Sequence, residues 1–184
     1  MYRLFVAVDL PDSIRERIVP LCTGLSGARW VPVTQLHLTL KFIGDADEQH
    51  FEAIRQQLAT ITLPAFSLRF SGIGCFPSSR SPRVVWLGLE ECPALHQLQQ
   101  AVESQLQLIG CPREDRPFAL HLTLARLRES HPAAYERYAV RHREYSCPSF
   151  PVTSFYLYSS KLSAQGAIHR REAVYALAPA GPDR

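Results

Sequence analysis

Apolar and polar residues alternate along some stretches of the chain and recur at helical spacing along others. Leu4, Val6 and Val8 share one parity against Phe5, Ala7 and Asp9, which is the two-residue period of a half-buried strand ending near Leu10. Pro11 opens a helix with Ile14, Ile18, Leu21 and Leu25 inward. Pro20 shortens or kinks it, and Gly24 and Gly27 help to end it. Arg29 to Val31 extends briefly before Pro32, and a strand running to Gly44 follows. Asp45 and Asp47 are candidate caps of a second helix with Phe51, Ile54, Leu58 and Ile61 on its buried stripe, closed by Pro64. Phe66, Leu68 and Phe70 alternate as a further strand that loosens at Gly72 and Gly74. Pro77 to Pro82 is a loop by composition, and Val84 to Leu89 resumes as a strand carrying Trp86.

The second half repeats the order. A helix after Pro93 turns Leu95, Leu98, Val102, Leu106 and Ile109 inward and stops at Gly110; a polar turn from Pro112 to Pro117 leads into another strand. His131-Pro132 starts a short, weakly patterned helix or loop containing Tyr135 and Tyr138. Val152 to Leu162 and His169 to Leu177 are the last strands, joined by a turn with Gly166. Two copies of a strand-helix-strand-strand unit predict an α+β fold: bilobal, two antiparallel-rich sheets flanking a central cleft, helices outside, and an approximate two-fold axis. The expected organisation is one domain over residues 1–178, with repeats of about 1–90 and 91–178, and a tail over 179–184.

The repetition is literal at one place. Leu36-His37-Leu38-Thr39-Leu40 recurs as Leu120-His121-Leu122-Thr123-Leu124, 84 positions later. An identical pentapeptide arises by chance in roughly one chain in two hundred of this length and even composition, so an internal duplication is the better reading. In each copy the leucines lie on one parity, while His and Thr stand two residues apart on the other. Packing alone accounts for a retained leucine row. It gives no reason to retain both His and Thr on the opposite face.

Composition narrows the picture without changing it. With 46% hydrophobic and 20% charged residues over 184 positions, the chain suits one globular domain, and a net charge of +3 is too small for a protein that coats duplex nucleic acid. Cys22, Cys75, Cys92, Cys111 and Cys147 are odd in number and widely spaced, which fits free thiols in a reducing cytoplasm. No signal-length or membrane-length apolar run occurs, so a cytoplasmic protein with no membrane association is expected.

Two histidines facing one pocket suit phosphodiester cleavage. Imidazole titrates near pH 6.5, so one ring can accept a proton from attacking water while the other donates to the departing oxygen. Thr39 and Thr123 project with His37 and His121 and can donate to phosphate oxygens. Arg126, just beyond the second motif, is the leading candidate for stabilising developing charge; Lys41 shares the parity of His37 and Thr39 and is a weaker one. A single His-x-Thr is more often a surface or core pair than a site, and a zinc site on His37 and His121 lacks an evident third ligand. His50, His96, His131, His142 and His169 show no comparable arrangement and read as solvated or structural. Phe5, Phe42, Phe76, Trp86 and Tyr156 are candidates to stack on a base, and Arg80 and Arg83 to contact an RNA backbone, although most such aromatics are core and such loops are solvated.

The paired motifs resemble the signature of the two-histidine (2H) phosphoesterase superfamily. The framing is similar to its bacterial and archaeal RNA 2′,3′-cyclic phosphodiesterases, once called 2′-5′ RNA ligases: Arg3-Leu4-Phe5, Asp9-Leu10-Pro11, the run from His37 to Gly44, the stretch from Phe76 to Val84, and Arg116-Pro117-Phe118. The resemblance spans residues 2 to 178. It implies a bilobal fold with both histidines in the cleft and metal-independent hydrolysis of RNA 2′,3′-cyclic phosphate ends to 2′-phosphates, with no cofactor and no metal. It implies His37 as proton donor to the leaving 3′ oxygen, His121 as proton acceptor from water, Thr39 and Thr123 as phosphate-binding residues, and Arg126 assisting. The implied partner is an RNA or oligonucleotide with a 2′,3′-cyclic phosphate end, tRNA fragments among the candidates, acted on by a monomer. Reversible 2′-5′ RNA ligation is a variant of the same site, and a non-catalytic nucleotide- or RNA-binding module using the same cleft is the alternative.

Overall fold

In the computed structural model, residues 2–114, 118, 119, 121–129, 131–163 and 166–179 are described. Leu120, Arg116 and Pro117, which figured in the motif and its framing, lie outside them. The chain runs β1 (Tyr2–Asp9), α1 (Asp12–Ile18), β2 (Ala28–Trp30), β3 (His37–Ala46), α2 (Glu48–Leu58), β4 (Phe66–Leu68), β5 (Phe70–Phe76), β6 (Val84–Leu89), α3 (Pro93–Gln107), β7 (His121–Leu127), α4 (Pro132–Arg141), β8 (Phe150–Val152), β9 (Ser154–Ser163) and β10 (Gly166–Ala176). Pro20 has the expected effect, since α1 stops at Ile18 and gives way to a single 3-10 turn at Val19–Leu21. Asp47 rather than Asp45 caps α2, accepting from the His50 amide at 2.8 Å.

Two four-stranded sheets have the orders β10-β9-β1-β3 and β2-β7-β6-β5, and β4 pairs with β8 in a two-stranded ribbon. All named strand pairs are antiparallel. In chain order, β1-α1-β3-α2-β4-β5 is matched by β6-α3-β7-α4-β8-β9, so a second helix separates the middle strand from the last two. The third long strand of each copy joins the sheet begun by the other: β5 pairs with β6, and β9 with β1. Each sheet therefore needs residues from both halves of the chain. The expected strands at Phe66–Phe70 and Val152–Leu162 are each split, at Arg69 and at Thr153, where the chain leaves the β4/β8 ribbon for a large sheet.

The leucine rows behave as their parity demands. Leu36, Leu38, Leu40, Leu122 and Leu124 are all at most 3% exposed and belong to one core with Leu4, Val6 and Val8 of β1 and Leu95, Leu98, Val102 and Leu106 of α3. Burying each such side chain contributes about 1.5–3 kcal/mol, so a one-residue slip of either motif strand is strongly disfavoured. A second, smaller core gathers Leu25, Val85, Ala125 and Leu127 around Tyr135 and Tyr138 of α4, with the Tyr138 hydroxyl donating to the Leu21 carbonyl at 2.7 Å. This packing explains the tyrosines of the segment that looked weakly patterned. All five cysteines are unpaired thiols, and among the described residues no helix is long and apolar enough to cross a membrane.

Candidate active site

The same local device orients both motif histidines. His37 Nδ1 lies 2.7 Å from the Gln35 carbonyl, and His121 Nδ1 lies 2.7 Å from the Ala119 carbonyl, two residues back in each case. A carbonyl only accepts, so Nδ1 carries the proton and Nε2 is left with its lone pair in the neutral ring. The turn behind His37 is itself tethered: the Arg15 guanidinium of α1 donates to the carbonyls of Leu10, Val33 and Leu36. β3 and β7 contact one another, and because the leucines of both are buried in one core, both His-x-Thr rows emerge on the faces turned away from it.

The two rings have different surroundings. His37 stacks on Phe5 at 4.9 Å between centroids, Phe5 stacks on Tyr158 at 5.2 Å, and His169 meets His37 edge-on at 5.2 Å and Phe5 at 5.0 Å. Asp9 accepts from the Tyr158 hydroxyl at 2.6 Å and pairs with Arg171, whose guanidinium covers the Tyr156 ring at 4.3 Å. His121 is met edge-on by Phe76 at 5.0 Å, with Trp86 at 6.3 Å. Of the aromatics proposed to stack on a base, Phe5, Phe76 and Trp86 stand against the motif histidines, and Phe42 is 65% exposed beside Phe5. Two ring nitrogens in these clusters, Trp86 Nε1 and His169 Nδ1, are buried with no hydrogen-bond partner among the described residues, an arrangement more common at binding sites than in finished cores.

His169 was read from the sequence as solvated or structural; instead it belongs to the His37 cluster. No periodic signal could have shown this, because β10 reaches His37 only across β9 and β1. The other histidines lie elsewhere: His50 near Cys111, His96 against Phe118, His131 beside Gly27 and His142 on Tyr138.

Lys41 requires a second correction. A register shift between Val6 and Ala7 of β1 places an extra residue in β3, so both Leu40 and Lys41 turn inward and parity reverses after Thr39. The Lys41 ammonium is bonded to Glu103 of α3 at 2.7 Å and to the Pro112 carbonyl at 2.8 Å, away from the His37 face. β7 carries the equivalent shift, between Val85 and Trp86 of β6, so Leu124 and Ala125 are both buried. That bulge brings the exposed Arg126 onto the face of His121 and Thr123, although its sequence parity is opposite to theirs. Arg83 of the neighbouring loop is bonded to the Arg128 carbonyl.

Trp86 owes its place to a glycine. Gly74 sits opposite it in register, and a Cβ there would fall 2.1 Å from the indole. Gly74→Ala is therefore expected to displace Trp86 from beside His121 and destabilise the fold by about 1–3 kcal/mol; indole fluorescence with urea unfolding checks both effects.

Burial pushes the His37 imidazole down to about 4, and neighbouring His169 and Arg15 push the same way against the Gln35 carbonyl and Asp9; burial also lowers His169. Unfolded chains take up these protons near the ordinary value of about 6.5, so between there and pH 4 the unfolded state binds more protons. Stability should therefore be complete above the unfolded value and be lost as pH falls towards about 4, by up to about 3 kcal/mol for His37 alone. Urea titrations at pH 7 and 4.5 should differ less for His37→Gln than for the wild type.

Comparison with known proteins decides the family. Residues 10–163 match the model of the 2′-5′ RNA ligase superfamily. The chain belongs to that superfamily. It is 38% identical over 174 residues to the RNA 2′,3′-cyclic phosphodiesterase of Archaeoglobus fulgidus, covering 91% of this chain and 96% of the relative. It is 35% identical over 165 residues to the RNA 2′,3′-cyclic phosphodiesterase of Escherichia coli, covering 88% of each. The crystal structure of Escherichia coli LigT complexed with 3′-AMP superposes with a TM-score of 0.77 at 31% identity, covering 96% of this chain and 98% of that one. Among the described residues of this superfamily member, no three His, Cys, Asp or Glu side chains group as metal ligands would.

Proposed function

We propose that the protein hydrolyses RNA ends bearing a 2′,3′-cyclic phosphate to 2′-phosphates, with His37 and His121 as the acid and base of one cleft. The observation that carries this reading is the matched tethering of the two rings through Nδ1, which leaves the Nε2 lone pair of each histidine for chemistry on a strand face that also carries Thr39 or Thr123. Water attacks phosphorus and gives its proton to His121 Nε2. The bond from phosphorus to the 3′ oxygen breaks, and that oxygen takes a proton from His37, leaving the phosphate on the 2′ oxygen. Thr39 and Thr123 donate to the non-bridging oxygens, and Arg126, carried onto the same face by the β7 bulge, balances the charge that builds there. The relatives named RNA 2′,3′-cyclic phosphodiesterase support the reaction class.

The depressed basicity of His37 bears on its role. Burial holds the His37 imidazole below its ordinary value in the free protein, and a phosphodiester anion brought against it favours the imidazolium, the form the donor role requires. A 5′-hydroxyl in place of water yields a 2′-5′ linkage through the same proton transfers, which makes ligation a variant of this site. The test is incubation of a short RNA ending in a 2′,3′-cyclic phosphate with purified protein in chelator. Release of a 2′-monophosphate end supports the reading; binding without turnover supports the alternative of a non-catalytic RNA-binding module.

A further inference from the structure

Arg126 has a neighbour that the chemistry above leaves unused. β2 pairs with β7 so that Arg29 stands directly opposite Arg126. Ala28 and Trp30, on either side of Arg29, pack against the second core, with Trp30 5.9 Å from Tyr138. Alternation therefore turns Arg29 to the other face of the sheet, the face that carries Arg126, Thr123 and His121. Both arginines are exposed. Neither is within ion-pair distance of a carboxylate among the described residues.

Like charges directly opposite on neighbouring strands repel, and no carboxylate among the described residues lies close enough to offset these two. An anion seated between them would. Because the bulge absorbs one residue, Arg126 lies about two residues of strand rise, or ~7 Å, beyond Thr123. That interval is of the order of the spacing between consecutive phosphates on an RNA strand. It runs along β7 away from His121, so the pair flanks the Thr123 end of the site.

We propose that Arg29 binds the phosphate on the 5′ side of the terminal nucleotide, with Arg126 shared between that phosphate and the cyclic one, making this a site for the end of an RNA chain rather than for a mononucleoside cyclic phosphate. The inference rests on the proposed cyclic phosphodiesterase reading and adds the residue that would hold a second phosphate of the chain. A phosphate contact carries no base information, so the preference is for chain length and not for sequence.

The experiment compares kcat/KM for a mononucleoside 2′,3′-cyclic phosphate and for a trinucleotide with the same cyclic end, using wild type, Arg29→Gln and Arg29→Lys. The expected result is a trinucleotide-to-mononucleotide ratio that falls about tenfold in Arg29→Gln and is partly restored in Arg29→Lys, with the salt dependence of trinucleotide binding shallower by about 0.7 in log–log slope. An unchanged ratio and slope would overturn it. A parallel titration of a labelled trinucleotide 3′-phosphate against its mononucleotide counterpart separates the two readings. If wild type turns over neither cyclic phosphate, the hydrolase reading fails; tighter trinucleotide binding that Arg29→Gln abolishes then still supports the second-phosphate site, and equal binding of the two probes overturns it.

Discussion

His121→Ala lowers turnover of an RNA cyclic phosphate by roughly two to four powers of ten while weakening substrate binding much less. The ring is the proposed proton acceptor, and its Nδ1 is committed to the Ala119 carbonyl, so only Nε2 is available for the water proton. Phe76 meets this ring edge-on, while the β7 core residues Leu122 and Leu124 face the other way, so the truncation removes the base without opening the main core. Single-turnover rates and an affinity measurement on a 3′-phosphorylated RNA check the split between kcat and KM. Equal loss in both would show a ligand-gripping or structural role and remove His121 from the proton-transfer step.

Lys41→Met destabilises the fold by about 3–5 kcal/mol, because it leaves the Glu103 carboxylate buried without its cation. The two side chains are 2% and 11% exposed, and Glu103 Oε1 also accepts from the Glu114 amide at 3.0 Å. The pair thus ties β3 to α3 and to the segment leading towards β7. For a domain of this size the loss amounts to a fall of roughly 10 °C or more in melting temperature. Lys41→Met combined with Glu103→Leu should recover most of it, since removing both charges also removes their desolvation cost. Thermal and urea unfolding of the single and double variants test this. A loss below about 1 kcal/mol in the single variant would mean that Glu103 escapes to solvent and that the pair is not an anchor.

A rule that held along most of the chain failed at Lys41. Strand alternation assigned Leu38 and Leu40 to the core and His37 and Thr39 to the open face, and each is so placed. The same alternation put Lys41 with the histidine, yet one unpaired residue in the ladder with β1 reversed the facing beyond Thr39. A charged residue on the buried stripe of α3 was a legible warning, because Glu103 falls between Val102 and Leu106 and needs a buried cation. Arg126 shows the converse: its place on the His121 face follows from the matching bulge in β7, which alternation alone does not yield.

What the sequence alone determined was local and repeated: the apolar rows, the duplicated His-x-Thr pairs, a first helix interrupted around Pro20 and a second one capped at Asp45 or Asp47. These depend on the geometry of a few consecutive residues, and consecutive residues carry that information. Only the tertiary structure decided which strand borders which. It alone set His169 against His37, Arg29 opposite Arg126, and Trp86 over Gly74 beside His121. Those relations arise from pairing register and bulges between segments far apart in the chain, where burial of the whole core, rather than any local pattern, selects the partner.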